Sequence, residues 1–285
     1  MKIFLTGGTG FVGSHFLQQA LAQGHEVTAL RRPGSQPRIK LSKQPVWLDG
    51  ALDGDYRESL AGVDILVHLA SHTPNPPYDT LDRCLYWNVF ASLQLALQAV
   101  EQGVKQFIVA GSCFEYGGSD DRVGDLDIDS PLEPALSYPT SKAAASVAFL
   151  GLARELNLQL KLMRIFQVYG EGEPASRLWP SLKKAALAGQ DFPMSGGEQV
   201  RDFIPVEEVA RQFVEALDFS DSVSGQPILN HVATGRPQTL HEFAQHWWQH
   251  WGGSGKLMAG ALPYRYNEVM RISSSKKKKL FKIHK

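Results

Sequence analysis

The stretch FLTGGTGFVGSHF, residues 4–16, limits what this chain can fold into more than any other. It sets Gly7, Gly10 and Gly13 between an apolar run, KIFLTG, and a segment of helical period that opens with Phe11 and Val12. Glycine at such a junction lets the backbone turn tightly and approach neighbours that a Cβ would strike. Gly7 suits the turn, Gly10 admits a pyrophosphate against the backbone, and Gly13 lets helix and strand pack closely. The start of the helix then offers free N–H groups and a positive dipole end to phosphate. The spacing GxxGxxG is one residue longer in its first gap than the commoner dinucleotide fingerprint. An ordinary glycine-rich turn is the alternative reading, and the position directly after the first strand weighs against it.

The rest of the chain alternates in the same way. KIFLTG, HEVTAL, DILVHLA, QFIVAGS, LKLMRIF and PILNHVA read as strands, with a further one at VWLDGAL. Several are apolar throughout, as expected of parallel strands covered on both faces. Residues 11–23, 81–103 and 139–156 read as helices between them. The order predicts an α/β fold with a doubly wound parallel Rossmann sheet. After about residue 170 glycine, proline and tryptophan become frequent, and helices at 177–189, 206–217 and 239–251 are joined by longer loops. This predicts a small, mostly helical C-terminal substrate lobe. The dinucleotide-binding domain is expected over 1–168, with a returning segment near 200–234, and the lobe over 169–199 and 235–285.

With 285 residues the chain can bury a substantial core, and 29 basic residues balance 29 acidic ones. That balance favours neither nucleic acid nor an anionic membrane as partner. Two cysteines, Cys84 and Cys113, make neither a disulfide framework nor a cysteine-rich metal site, which suits a reducing cytoplasm. The opening residues are too short for a signal-peptide core, and no apolar run reaches the roughly 18 residues of a membrane span. His246 and His250 are spaced for zinc but lack the glutamate of HExxH, so no metal is expected. KKKK at 276–279 reads as a solvated face.

The second strand ends VTALRRPGS. An NAD site usually has an acid there for the ribose 2′-OH, whereas Arg31 and Arg32 suit a 2′-phosphate. NADP is therefore favoured over NAD. Asp49 is placed to accept from an adenine amino group. Further on, SYPTSK spaces Tyr138 and Lys142 by one helical turn on a single face. A tyrosine is a poor base at its usual pKa of about 10, and a neighbouring cation stabilises its phenolate. The pair thus predicts a proton donor or acceptor matched to neutral pH, with Lys142 also able to bond a nicotinamide ribose.

With these motifs in hand, the chain resembles the extended short-chain dehydrogenase/reductases, in their nucleotide-sugar epimerase, dehydratase and ketoreductase branch. TGGTGFVGSH looks like the cofactor turn, and ILVHLAS, with Leu69, Ala70 and Ser71, like the segment beside the cofactor. NVFASLQLALQA looks like the helix that begins with an active-site asparagine, here Asn88. MRIFQVYGEGE brings Ile165 to the cofactor and Gln167 to the sugar. The resemblance implies Tyr138 as catalytic acid/base, Lys142 as its modulator and Ser112 as the holder of the sugar oxygen. It implies Arg201 and Arg265 on the substrate diphosphate, and Arg177 and Trp179 over the nucleotide base. Gln167 departs from an expected asparagine, and Ser273–Ser275 replace an expected aspartate. Cys113 and Phe114 line the substrate where 4,6-dehydratases carry an acidic pair, so elimination is not expected. Glu115 receives no role.

The resemblance thus implies an NAD(P)-dependent enzyme that moves hydride at C4 of a nucleotide-diphosphate sugar. A 4-keto-sugar reductase using NADPH is preferred, and a 4-epimerase that retains NAD is the alternative. A non-catalytic dinucleotide-binding regulator is the alternative of another class. It also implies a homodimer through the helices near 81–103 and 139–156.

Overall fold

The structure is a computed structural model that describes residues 1–265 and 268–275. The lysine run at 276–279 lies outside the described residues.

The central sheet has seven parallel strands: β1 (Lys2–Thr6), β2 (Glu26–Arg31), β3 (Val46–Asp49), β4 (Ile65–His68), β5 (Gln106–Ser112), β6 (Gln159–Ile165) and, later in the chain, Ile228–Val232. Its order from the far edge is Ile228–Val232, β6, β5, β4, β1, β2, β3. The order reverses beside β1, which pairs with both β2 and β4. A crevice opens at such a switch point, beyond the carboxyl ends of the strands.

Strand alternation explains the two cores. Ile3 and Leu5 of β1 face one side, among Phe16, Leu17 and Phe213. Phe4 faces the other, among Leu66, Leu95, Phe107 and Phe149. The first layer carries α1 (Phe11–Ala22) and the helix Val206–Glu215. The second carries Ser92–Glu101 and the long helix Ser137–Glu155. Both faces of the inner strands β1, β4 and β5 are therefore covered, which is why these runs are largely apolar.

The single helix expected over 81–103 is broken. Leu81–Leu85 and Ser92–Glu101 are α-helical, and the wide turn Tyr86–Ala91 between them has π geometry. The Ser92 hydroxyl donates back to the Trp87 carbonyl, five residues earlier, at 2.9 Å. Such a turn inserts one extra residue into the helix. Here it carries Asn88, whose amide joins two other elements (below).

The region beyond residue 170 has more strand than expected. The helices Leu178–Leu187 and Leu240–His250 enclose a core of Leu182, Met194, Ala244 and Trp248. Beside them lie a two-stranded sheet, Phe192–Met194 with Leu257–Ala259, and a second small sheet built on Val200–Pro205. These strands have two to six residues, most of them too short to show a hydrophobic period. Ser273 has a use that its sequence position did not reveal. Its N–H donates to Asp120 at 2.6 Å, and its hydroxyl donates to Asp125 at 2.6 Å. The acids that hold Ser273, just after the short strand Arg271–Ile272, come from another segment.

Candidate active site

The glycine turn fits a phosphate for steric reasons visible in the backbone. Gly7 sits at φ +77°, and a Cβ there would lie 2.5 Å from the Ala70 nitrogen. A Cβ on Gly13 would lie 2.0 Å from the Gly7 carbonyl oxygen. Only glycine allows α1 to start this close to β1. No side chain caps α1 at Gly10, so its first N–H groups meet no side-chain acceptor. They open on a cleft of about 730 Å³ lined by Gly7, Gly10, Phe11, Val12 and Gly13. Leu69, Ala70, Ser71, Asn88 and Ile165 line it as well. Cleft and helix end together fit a dinucleotide.

At the adenosine end the expected roles shift. The Arg31 Nε donates to Asp49 at 2.7 Å, and its guanidinium lies 4.8 Å over the Trp47 ring. Arg31 still lines the cleft, but its charge is already paired, and Asp49 is not part of the wall. Arg32 and Arg38 line the same end and are exposed. Arg38 gave no signal in the sequence. It is brought in because its backbone N–H donates to the Ser14 hydroxyl of α1 at 2.9 Å.

At the other end Ser112, Tyr138 and Lys142 meet on the cleft wall. Ser71 and Ser112 lie beside the Tyr138 hydroxyl and favour its charged form. The Lys142 ammonium donates to the Ala110 carbonyl at 2.7 Å. The expected lowering of the Tyr138 pKa by Lys142 is not found. Burial pushes the phenol up, opposed by the two serines, so Tyr138 stands protonated. Burial pushes Lys142 down, and the Glu115 charge opposes that. Asn88 bridges rather than points freely. It accepts from the His72 N–H at 2.7 Å and donates to the Ser141 hydroxyl at 2.9 Å.

Beyond Tyr138 lie two residues that the motifs did not mark, Tyr78 and Glu173, beside others that they did. Tyr78 packs on the Tyr138 ring at 5.3 Å between centroids and feels the charges of Arg177 and Arg265. Phe114, Gln167 and Arg177 line the cleft. Arg177 donates to Asn75 at 2.8 Å and lies 3.4 Å from Glu173. Glu173 lines the cleft with its Oε2 buried and unpartnered, and burial pushes its pKa to about 7. Trp179 does not cover the cleft. The first turn of its helix directs it against Tyr169, Trp247 and Trp251. Arg201 is off the wall too, donating to the Val269 carbonyl at 2.6 Å and to Glu268 at 3.1 Å. Cys113 is buried behind the wall, where burial pushes its thiol up to about 12. An uncharged thiol of that kind is a filler, not a nucleophile. His246 and His250 stack on the outer helix, and no group of potential metal ligands is found among the described residues.

A dinucleotide turn at a sheet switch point, opening on a Ser–Tyr–Lys cluster, defines a dinucleotide-dependent enzyme of the short-chain dehydrogenase/reductase type. The chain belongs to the NAD dependent epimerase/dehydratase family, whose model matches residues 3–230. Among characterised relatives it is similar to a dTDP-6-deoxy-L-talose 4-dehydrogenase (NAD(+)) of Aggregatibacter actinomycetemcomitans. The two are 26% identical over 84% of this chain and 87% of the relative. It is likewise 26% identical to a UDP-glucose 4-epimerase of Corynebacterium glutamicum, over 78% of this chain and 72% of the relative. The solved structure of MoeE5 in complex with UDP-glucose and NAD superimposes with a TM-score of 0.82 at 25% identity. That match covers 98% of this chain and 90% of the other.

Proposed function

We propose that the protein reduces the 4-keto group of a nucleotide-diphosphate sugar with NADPH. The observation that carries this reading is the meeting of buried Tyr138 with Ser112 and Lys142 on the cleft wall, where burial favours the neutral phenol. A carbonyl that accepts hydride must also receive a proton, and a buried neutral phenol already holds it. When bound, the nicotinamide supplies the hydride. Tyr138 gives its proton to the sugar O4, Ser112 holds that oxygen, and Lys142 offers a positive charge to the phenolate that remains. Arg177 on the cleft wall, with Arg265 close enough for its charge to act on Tyr78, suits the substrate diphosphate. Elimination lacks support, since Cys113 and Phe114 stand where its acids would be and Glu115 is consumed in an ion pair at 2.8 Å.

Arg32 and Arg38, with Arg31 beside them, support a 2′-phosphate on the cofactor. A homodimer is supported by an exposed apolar stripe: Tyr86, Phe90 and Leu97 on one helical segment and Val147 on its neighbour. The similarity to 4-epimerases favours the second reading, a retained NAD that oxidises and re-reduces C4. Purified protein separates the two. Oxidation of NADPH that depends on an NDP-4-keto-6-deoxy sugar, by protein that carries no nucleotide, supports the reductase. Retained NAD, with interconversion of UDP-glucose and UDP-galactose and no added cofactor, refutes it.

A further inference from the structure

Glu115 lies in the Ser112-bearing turn and touches no ligand wall, yet it is completely buried. Its Oε1 accepts the Ser112 backbone N–H at 2.7 Å. Its Oε2 accepts from the Ser146 hydroxyl at 2.7 Å and from the Arg164 Nε at 2.8 Å. Ser146 is one helical turn beyond Lys142 and two beyond Tyr138. The carboxylate therefore fastens the end of β5 to the helix that carries the other two residues of the cluster. Arg164, from β6, is held in turn by the Tyr116 hydroxyl at 2.6 Å. Gly111 makes the space. A Cβ there would lie 2.9 Å from the Glu115 Oε1 and 2.9 Å from the Arg164 Cγ.

We propose that Glu115 is a positioning residue for the reduction described above, locking Ser112 against Tyr138 and Lys142 and setting a fixed negative charge behind the Lys142 ammonium. The titratable and charged groups that face Lys142 can be named element by element. From β4 comes His68, which is buried and stays neutral because burial pushes it down to about 3. From β5 comes only the Ala110 carbonyl. From the turn after β5 comes Glu115, with Arg164 of β6 bound to it. Tyr138 is on the same helix. Glu115 is thus the one negative charge among these that favours the ammonium.

The role rests on the proposed reaction for its kinetic part only, so the test has two arms. The first needs no substrate. Competitive amine acylation across a pH series, read by mass spectrometry, reports where Lys142 loses its proton. Glu115→Gln should move that midpoint to lower pH, because the ammonium loses a favourable charge. The second arm is turnover. Glu115→Gln should lower kcat about tenfold or more while KM for the sugar nucleotide stays within about twofold. Ser146→Ala keeps the ion pair and removes only the tie to the helix. It should lower kcat about threefold or more without moving the Lys142 midpoint, and it carries the test if Glu115→Gln does not fold. An unmoved Lys142 midpoint in folded Glu115→Gln overturns the charge role, and wild-type kcat in Ser146→Ala overturns the positioning role. If wild-type protein turns over no NDP-4-keto sugar, the proposed reaction fails while the labelling arm still decides on Glu115.

Discussion

Glu173 offers a measurable consequence of burial. Its side chain is 4% exposed, its Oε2 has no partner, and Arg177 lies 3.4 Å from its Oε1. Burial outweighs the nearby guanidinium and raises the carboxyl from 4.5 to about 7. The folded state therefore holds a proton that the unfolded chain releases near pH 4.5. Between those values the unfolded state binds fewer protons, so stability falls as pH rises, and above about 7 the loss is complete. About 2.5 units at 1.36 kcal/mol each gives about 3 kcal/mol. Glu173→Gln removes the titration and keeps the shape. At pH 8.5 the variant should be more stable than wild type by about 3 kcal/mol, and at pH 5 by less than about 1 kcal/mol. A chain of this size changes Tm by roughly 2 °C per kcal/mol, so thermal melts should differ by about 6 °C at pH 8.5 and by under about 2 °C at pH 5. An equal difference at both pH values would mean that packing, not charge, separates the two proteins. A lower Tm for the variant at pH 8.5 would refute the reasoning outright.

Two more outcomes follow from the geometry. Gly13→Ala puts a Cβ 2.0 Å from the Gly7 carbonyl, so α1 must retreat from β1. Dinucleotide affinity, read by isothermal titration, should fall at least about a hundredfold, and retention of wild-type affinity would show that the turn does not hold the phosphates. Phe90→Asp places a charge in the exposed stripe with Tyr86, Leu97 and Val147. Light scattering should show the variant as a monomer and wild type as a dimer, and an unchanged mass would move the contact to another face.

The parts of this site that could be read from the sequence are those where local sterics demand one residue type. Gly7 and Gly13 are glycines because a Cβ would strike backbone atoms, and Tyr138 and Lys142 share a face because a helix turns every 3.6 residues. What stayed hidden depends on partners far along the chain. The Glu115 carboxylate is held by Ser146 and Arg164, 31 and 49 residues away. Arg31 resembled a free phosphate ligand until β2 and β3 paired it in register with Asp49. Trp179 and the cleft-facing Arg177 are two residues apart, and only the phase of the helix start decides which one meets the cleft. Arg38 belongs to a loop without a period, so its approach to Ser14 has no local signature.

The stretch Ala110–Tyr116 shows how the two kinds of information combine. A strand points successive residues to opposite faces, so Ser112 and Gly111 cannot serve the same side. Gly111, with Phe107 and Val109, faces the layer of the helix Ser137–Glu155, where Glu115 is held by Ser146 and Arg164. Any side chain at 111 would displace that ion pair, and with it the acceptor of the Ser112 N–H. The backbone itself serves at Ala110, whose carbonyl orients Lys142. Cys113 fills the space behind the wall without adding charge, which its burial would not tolerate. One strand end thus supplies the Ser112 hydroxyl proposed to hold the sugar oxygen, the lysine anchor and the charge beneath both. Of these, only the hydroxyl looks functional in the sequence, because the others act through a carbonyl, an absent side chain and a buried carboxylate.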